Sequence, residues 1–345
     1  MITAFDFDVR SVILKRSFDG GRFQNKTIQS VCYDQRRDRY LIGFSHNDNA
    51  DRATVIRTKD LSFTDESVEK IAEDLPLAHC NDMTYDPDRD RVIVALGDNR
   101  IGELDPEQLT VTLIRTISCT VWSIARYESG AYFTHDGDTG RMWDRDFQSS
   151  WIISRDDNRR VVEALGVPYD KDARQYAGYW QGAEIIEGVP HVLYTEWGEK
   201  PGYYKSCCLV AIGEDRILRA ETELETEGVC CADGETVMVY GNIHIGGARM
   251  DLGQIKTVCG TVKGVALGTD AVTVSCAGFI PSGYKFAGAQ VSMTYSGKVY
   301  QLPYMDSAGK ITAWIVRAKD RKITVKANRN LGKVDLTITG TCEKK

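Results

Sequence analysis

The residues able to do chemistry sit in short polar segments between apolar runs. One set holds His46-Asn47-Asp48, Asp98-Asn99, His135-Asp136-Gly137-Asp138, Glu196-Trp197-Gly198-Glu199 and Asn242-Ile243-His244. A second set holds His79, Asn81, Asp82, Trp122, Trp180, Gln181 and Glu184. Carboxylates and amides hydrogen-bond hydroxyl groups, and indole rings stack on the apolar side of a pyranose. The mixture therefore suits a saccharide. The ligand-binding candidates are His46, Asp48, His79, Asn81, Asp82, Trp122, His135, Asp136, Trp180, Glu196 and Trp197. Imidazole beside carboxylate also suits a divalent metal, with His79, Asp82 and His135 as the ligands to consider, and no other cofactor is expected. A metal-dependent hydrolase, lactonase- or glycosidase-like, is the rival to a binding protein. No catalytic residue is assigned, because the chain lacks GxSxG, HExxH and a glycine-rich phosphate loop. Binding without turnover is the favoured reading.

The elements that position these segments repeat. Cys32-Tyr33-Asp34-Gln35-Arg36-Arg37-Asp38-Arg39-Tyr40 parallels Thr84-Tyr85-Asp86-Pro87-Asp88-Arg89-Asp90-Arg91-Val92. Each reads as strand, acidic turn, strand. Residues 2–17 parallel residues 101–116, and a third copy begins at Met250-Asp251-Leu252-Gly253-Gln254. Grouped as inner and outer hairpins, these units predict an all-β chain whose first part is a β-propeller with five blades. Inner hairpins are expected near 27–45, 79–97, 120–135, 176–196 and 228–241, and outer ones near 53–72, 101–117, 140–154 and 205–224. The N-terminal segment 2–17 resembles an outer hairpin and is expected to help close the last blade, removing a free sheet edge. The third copy gives that blade at least one outer strand of its own, so that it is shared between both ends or followed by a partial extra blade. In that register both polar sets fall on one face of the ring. The Asp-rich turns fall on the other, where aspartates cap their own backbone.

Composition sets further bounds. The chain has 345 residues, 31 of them Gly and 8 Pro, which suits many short strands. Its net charge of −6 is unevenly spread. From residue 260 onward there are 13 Lys or Arg against 5 Asp or Glu, a net of +8, and the remainder carries −14. The shift predicts a boundary, with a propeller over 1–258 and a small antiparallel β-sandwich over 259–345, a tip or oligomerisation domain. Clean alternation in Val291-Ser292-Met293-Thr294-Tyr295 and Ile323-Thr324-Val325-Lys326-Ala327 fits a sheet with one wet face. The basic residues there are expected to form a solvated face, with a polyanion-binding patch as the sharper reading, and no nucleic-acid motif accompanies them. The ten cysteines show neither disulfide-framework nor zinc spacing. The adjacent pairs Cys207-Cys208 and Cys230-Cys231 are expected to split between two environments, since neighbouring strand residues point to opposite faces. Neither a signal peptide nor a membrane span is expected, so membrane insertion is not.

Two stretches carry a resemblance. Ile280-Pro281-Ser282-Gly283-Tyr284-Lys285, Leu302-Pro303-Tyr304 and Gly309-Lys310-Ile311-Thr312-Ala313-Trp314 look like C-terminal tip domains of bacteriophage tail proteins. His79-Cys80-Asn81-Asp82-Met83-Thr84-Tyr85-Asp86-Pro87 is similar to a motif in propeller proteins of phages and Gram-positive bacteria. The resemblance implies a virion tail-fibre or baseplate protein, assembled in the host cytoplasm. It implies a homotrimer that contacts other tail proteins and binds host-surface glycans for attachment. A purely structural virion role is the third reading.

Overall fold

The computed structural model describes residues 3–6, 26–60, 65–166, 177–198, 204–214, 216–221, 225–232, 236–242, 246–251, 256–280 and 284–344. Consecutive antiparallel strands form the sheets of the first part. The first sheet is Lys26–Asp34, Arg39–His46, Ala53–Thr58 and Val68–Leu75. The second is Asp82–Asp86, Arg91–Ala95, Arg100–Asp105 and Thr110–Thr116. The third is Ser123–Arg126, Tyr132–His135, Gly140–Trp143 and Ser150–Ile152, followed by the helix Asp157–Ala164. The fourth is Gly178–Ile186, Val189–Trp197, Tyr204–Ala211 and Arg216–Glu221. The fifth is Glu225–Cys230, Thr236–Asn242 and Gly246–Asp251. The innermost strands neighbour one another in chain order, and the fifth lies against the first. This is a β-propeller, in the hairpin register read from the repeats.

The core lies between sheets rather than inside one. Leu41 and Val55 of the first sheet pack on Met83 and Val92 of the second, and Ile93 and Ile101 pack on Ile124 and Tyr132 of the third. Phe133 and Met142 meet Val192 and Tyr194, Leu193 and Leu209 meet Val229 and Val239, and Tyr240 returns to Ile28 and Phe44. Inner strands are covered on both faces, so Asp82–Asp86 is buried throughout, its polar side chains included, while the outer strand Thr110–Thr116 is largely exposed. Cys208 packs between the third and fourth sheets and Cys207 between the fourth and fifth, which is the expected split. No disulfide joins any of the ten cysteines.

The acidic turns are self-capped. Asp34 Oδ1 accepts from the N–H groups of Arg36 and Arg37 at 3.1 and 3.2 Å. Asp86 Oδ1 does the same for Asp88 and Arg89, and Asp105 Oδ1 for Glu107 and Gln108. Four residues after each aspartate the backbone is left-handed, at Asp38, Asp90 and Leu109. The tips also clamp neighbouring sheets. Arg37 makes two 2.8 Å bonds to Asp90 and one of 2.9 Å to Glu107. Arg126 of the third sheet reaches Asp86 and Asp88, at 3.0 and 2.7 Å.

The N-terminal strand departs from expectation. Thr3–Asp6 pairs in parallel with Arg216–Arg219, on the outer edge of the fourth sheet rather than in the last blade. Edge pairing uses backbone groups common to all residues, so the likeness of 2–17 to an outer hairpin says nothing about which edge receives it. The fifth sheet takes its third strand, Gly246–Asp251, from its own chain continuation. The rest of the expected N-terminal hairpin, 7–17, lies outside the described residues, as do 252–254, 281–283, Glu199 and His244.

The C-terminal part is a sandwich of two antiparallel sheets. One is ordered Lys256–Leu267, Gly332–Lys344, Tyr284–Tyr295, Lys298–Gln301. The other is ordered Val272–Ser275, Lys322–Ala327, Ile311–Lys319, Tyr304–Met305. Val291, Met293, Ile323, Val325, Leu336 and Ile338 fill the space between them. The sandwich docks on the third and fourth sheets. Ile311 and Trp314 enter the core between those sheets, with Trp314 5.4 Å from Trp151. Gly188, at φ 76°, tips the inner hairpin of the fourth sheet, and a Cβ there would stand 2.7 Å from Gln290 Cγ.

Candidate functional site

The ring axis is held by a carboxylate. Asp82, fully buried, accepts from three backbone N–H groups: Met83 at 2.9 Å, Ile124 at 2.7 Å and Ala183 at 2.8 Å. It thereby ties the innermost strands of the second, third and fourth sheets. Burial pushes its carboxyl well above the ordinary value, and the three N–H bonds offset only part of that. Glu184 repeats the device one step round. It accepts from Ile185 N at 2.9 Å and from Cys231 N at 3.2 Å, joining the fourth and fifth sheets. Burial pushes its carboxyl up to about 7.

The other candidates divide into anchored and available groups. His135 Nδ1 accepts from Gly137 N at 3.1 Å, so Nε2 carries the proton toward Asp157, 3.3 Å away. Burial raises the Asp157 carboxyl, but the His135 bond, Arg160 and Ser154 outweigh it and hold it below the usual range. Ser154 donates to Asp157 and not to His135, so this buried group is no nucleophile–base pair. Trp180 is buried between His135 and Tyr194, at 4.6 and 5.0 Å. Trp122 lies over Gly137, where a Cβ would stand 2.6 Å from its ring. Asp136 caps its own turn through Asp138 N and Thr139 N. His46 Nε2 meets Thr54 Oγ1 at 2.8 Å. Asp48 is exposed, and so is His79, which is bonded to Asn81 at 2.5 Å. Among the described residues no group of three or more His, Cys, Asp or Glu side chains is placed to hold a metal ion, so His79, Asp82 and His135 are not brought together as one.

One region gathers aromatic surface. On the fourth sheet, Tyr179 is 47% exposed and stands edge-on to Trp197, ring centres 5.0 Å apart at 78°. Tyr204 is the strand partner of Trp197. Burial and a hydrogen bond to Glu225 raise the Tyr204 phenol. Glu196 supports this platform from within. It is buried and bonded to Arg219 at 2.5 Å, to Ser206, and to Lys205 at 3.4 Å. Its charge is thus spent on holding the strand ends. Sequence reasoning named Glu196 and Trp197 but missed Tyr179 and Tyr204. The available signal was alternation: Trp180 turns inward, so Tyr179 turns out.

The fold and site define a propeller-bearing chain with an aromatic, polar loop face. No protein-family description and no curated protein matches the sequence. Solved structures of similar fold include glutaminyl cyclase of Myxococcus xanthus, 10% identical over 73% of this chain and 99% of that one, with a TM-score of 0.45. Regucalcin of Agrobacterium tumefaciens, a calcium-binding protein, is 11% identical over 72% of this chain and 95% of that one, with a TM-score of 0.39. The WD40 domain of Neurospora crassa Pan2 is 7% identical over 66% and 64%, with a TM-score of 0.33. The propeller assignment rests on the sheet order and closure of this chain itself.

Proposed function

We propose that this chain is a glycan-binding attachment protein of a phage tail or baseplate, with a five-bladed ring and a sandwich tip meeting near residue 258. The observation that carries the binding reading is the platform of Tyr179, Trp197 and Tyr204. An exposed ring braced by a second, with Glu225 bonded to Tyr204 beside them, matches the amphipathic face of a sugar. The virion setting, and a homotrimer that raises avidity, follow from the tail-tip resemblance. Binding of the intact protein to host-wall glycans tests the proposal. Tyr179→Ala should weaken it roughly tenfold, and undiminished binding by that variant would remove the platform from the reading.

A hydrolase is the second reading, favoured by Glu184. A carboxyl near 7 on the ring axis is suited to general acid–base work. Turnover of a lactone or glycoside that disappears in Glu184→Gln, with the fold intact, would select it.

A further inference from the structure

On the face opposite the loops, a cleft of about 360 Å³ is bordered by the inner hairpin tips of the first, third, fourth and fifth sheets and by the sandwich. Gln35, Ser129, Gln290 and Gln301 line it. Among the described residues, none of these four side chains is hydrogen-bonded to protein, and Ser129 Oγ is shielded from solvent. Ile185 and Leu302 add an apolar surface. Arg126 also borders the cleft, but its charge is committed to Asp86 and Asp88. Glu128 is exposed at the edge.

We propose that this cleft is a second binding site, distinct from the aromatic platform, and that it takes a single neutral sugar residue. Each carboxamide offers a donor and an acceptor, and a hydroxyl answers both. The three glutamine amides are open and uncommitted to protein, so a ligand hydroxyl meets them without displacing a protein hydrogen bond. With Arg126 neutralised, an anion finds no free cation among these groups. The volume lies at the low end of ligand pockets, enough for a pyranose ring against Ile185 and Leu302 but not for a long chain. Gln35 and Ser129 belong to the ring, whereas Gln290 and Gln301 belong to the sandwich, so the sugar bridges the two. The inference does not depend on the platform.

The test is saturation-transfer NMR on the full chain with glucose, galactose and N-acetylglucosamine as probes, and glycerol as the small-polyol control. At least one sugar should bind saturably with a Kd on the order of 1 mM, the strength open to so small a ligand. The Gln290→Ala/Gln301→Ala double variant should weaken that binding tenfold or more, while Tyr179→Ala leaves it unchanged. Because the double variant touches the docked sandwich, Gln35→Ala, on an exposed hairpin tip, is the companion and should weaken binding threefold or more. The proposal is overturned if none of the three sugars binds saturably, or if glycerol binds as tightly. It is also overturned if the cleft variants bind unchanged, or if Tyr179→Ala alone abolishes the signal.

Discussion

The carboxylates at the hairpin tips and those on the ring axis solve the same task in different media. Both tie neighbouring sheets together. Asp90, at the tips, is paired with the Arg37 guanidinium, which holds its carboxyl well below the usual range. Asp82 and Glu184, on the axis, have only backbone N–H partners, and burial raises both. A guanidinium needs solvent room and a long stem, which the outer surface supplies. On the axis the partners at hand are the backbone N–H groups of the converging strands. The pairing that looks stronger is thus the more exposed one, and the bonds without a counter-charge are the harder to replace.

The comparison is most severely tested by Asp82→Ala. It leaves the Ile124 and Ala183 N–H groups buried without an acceptor and should lower stability by about 3 kcal/mol in urea unfolding. A loss no larger than that of a surface substitution would mean the axis is not a structural centre. Next comes Glu184. Its folded carboxyl holds a proton more tightly than the unfolded one, so its contribution is present at acid pH and is lost as pH rises from about 4.5 through about 7. Glu184→Gln should flatten that decline, worth about 2 kcal/mol after allowance for partial exposure. Asp90 has the opposite sign. Its contribution is present above the ordinary carboxylate range and fades as pH falls below it. Asp90→Asn should cost about 1 kcal/mol, less at high salt, measured by unfolding at two ionic strengths. The smallest effect belongs to the platform: Tyr179→Ala should change stability by less than about 0.5 kcal/mol while weakening glycan binding. A large loss of stability would recast Tyr179 as a packing residue.

Legibility in the sequence followed the range of each interaction. The turns at Asp34 and Asp86 were legible because an aspartate and the N–H groups two and three residues on are enough to make them. The split of Cys207 from Cys208 was legible because strand alternation is local. Glu196 and Trp197 were legible as loop-face residues, yet their loops did not reveal that Glu196 would be bound by Arg219 and Ser206. His135 and Trp180 looked like ligand groups for the same reason. Their types were visible, but the third and fourth sheets that enclose them were not.

The chain by itself therefore determined the strands, their turns, the order of hairpins and the change to an alternating C-terminal sheet, all set by neighbours a few residues apart. Tertiary structure alone decided which edge receives Thr3–Asp6 and which sheets the sandwich covers. It also decided that Asp82 ties three sheets, and that Gln35 and Ser129 share a cleft with Gln290 and Gln301. These depend on groups far apart in sequence and brought together by backbone edges and packed faces, and such edges and faces carry no local signature of their partner.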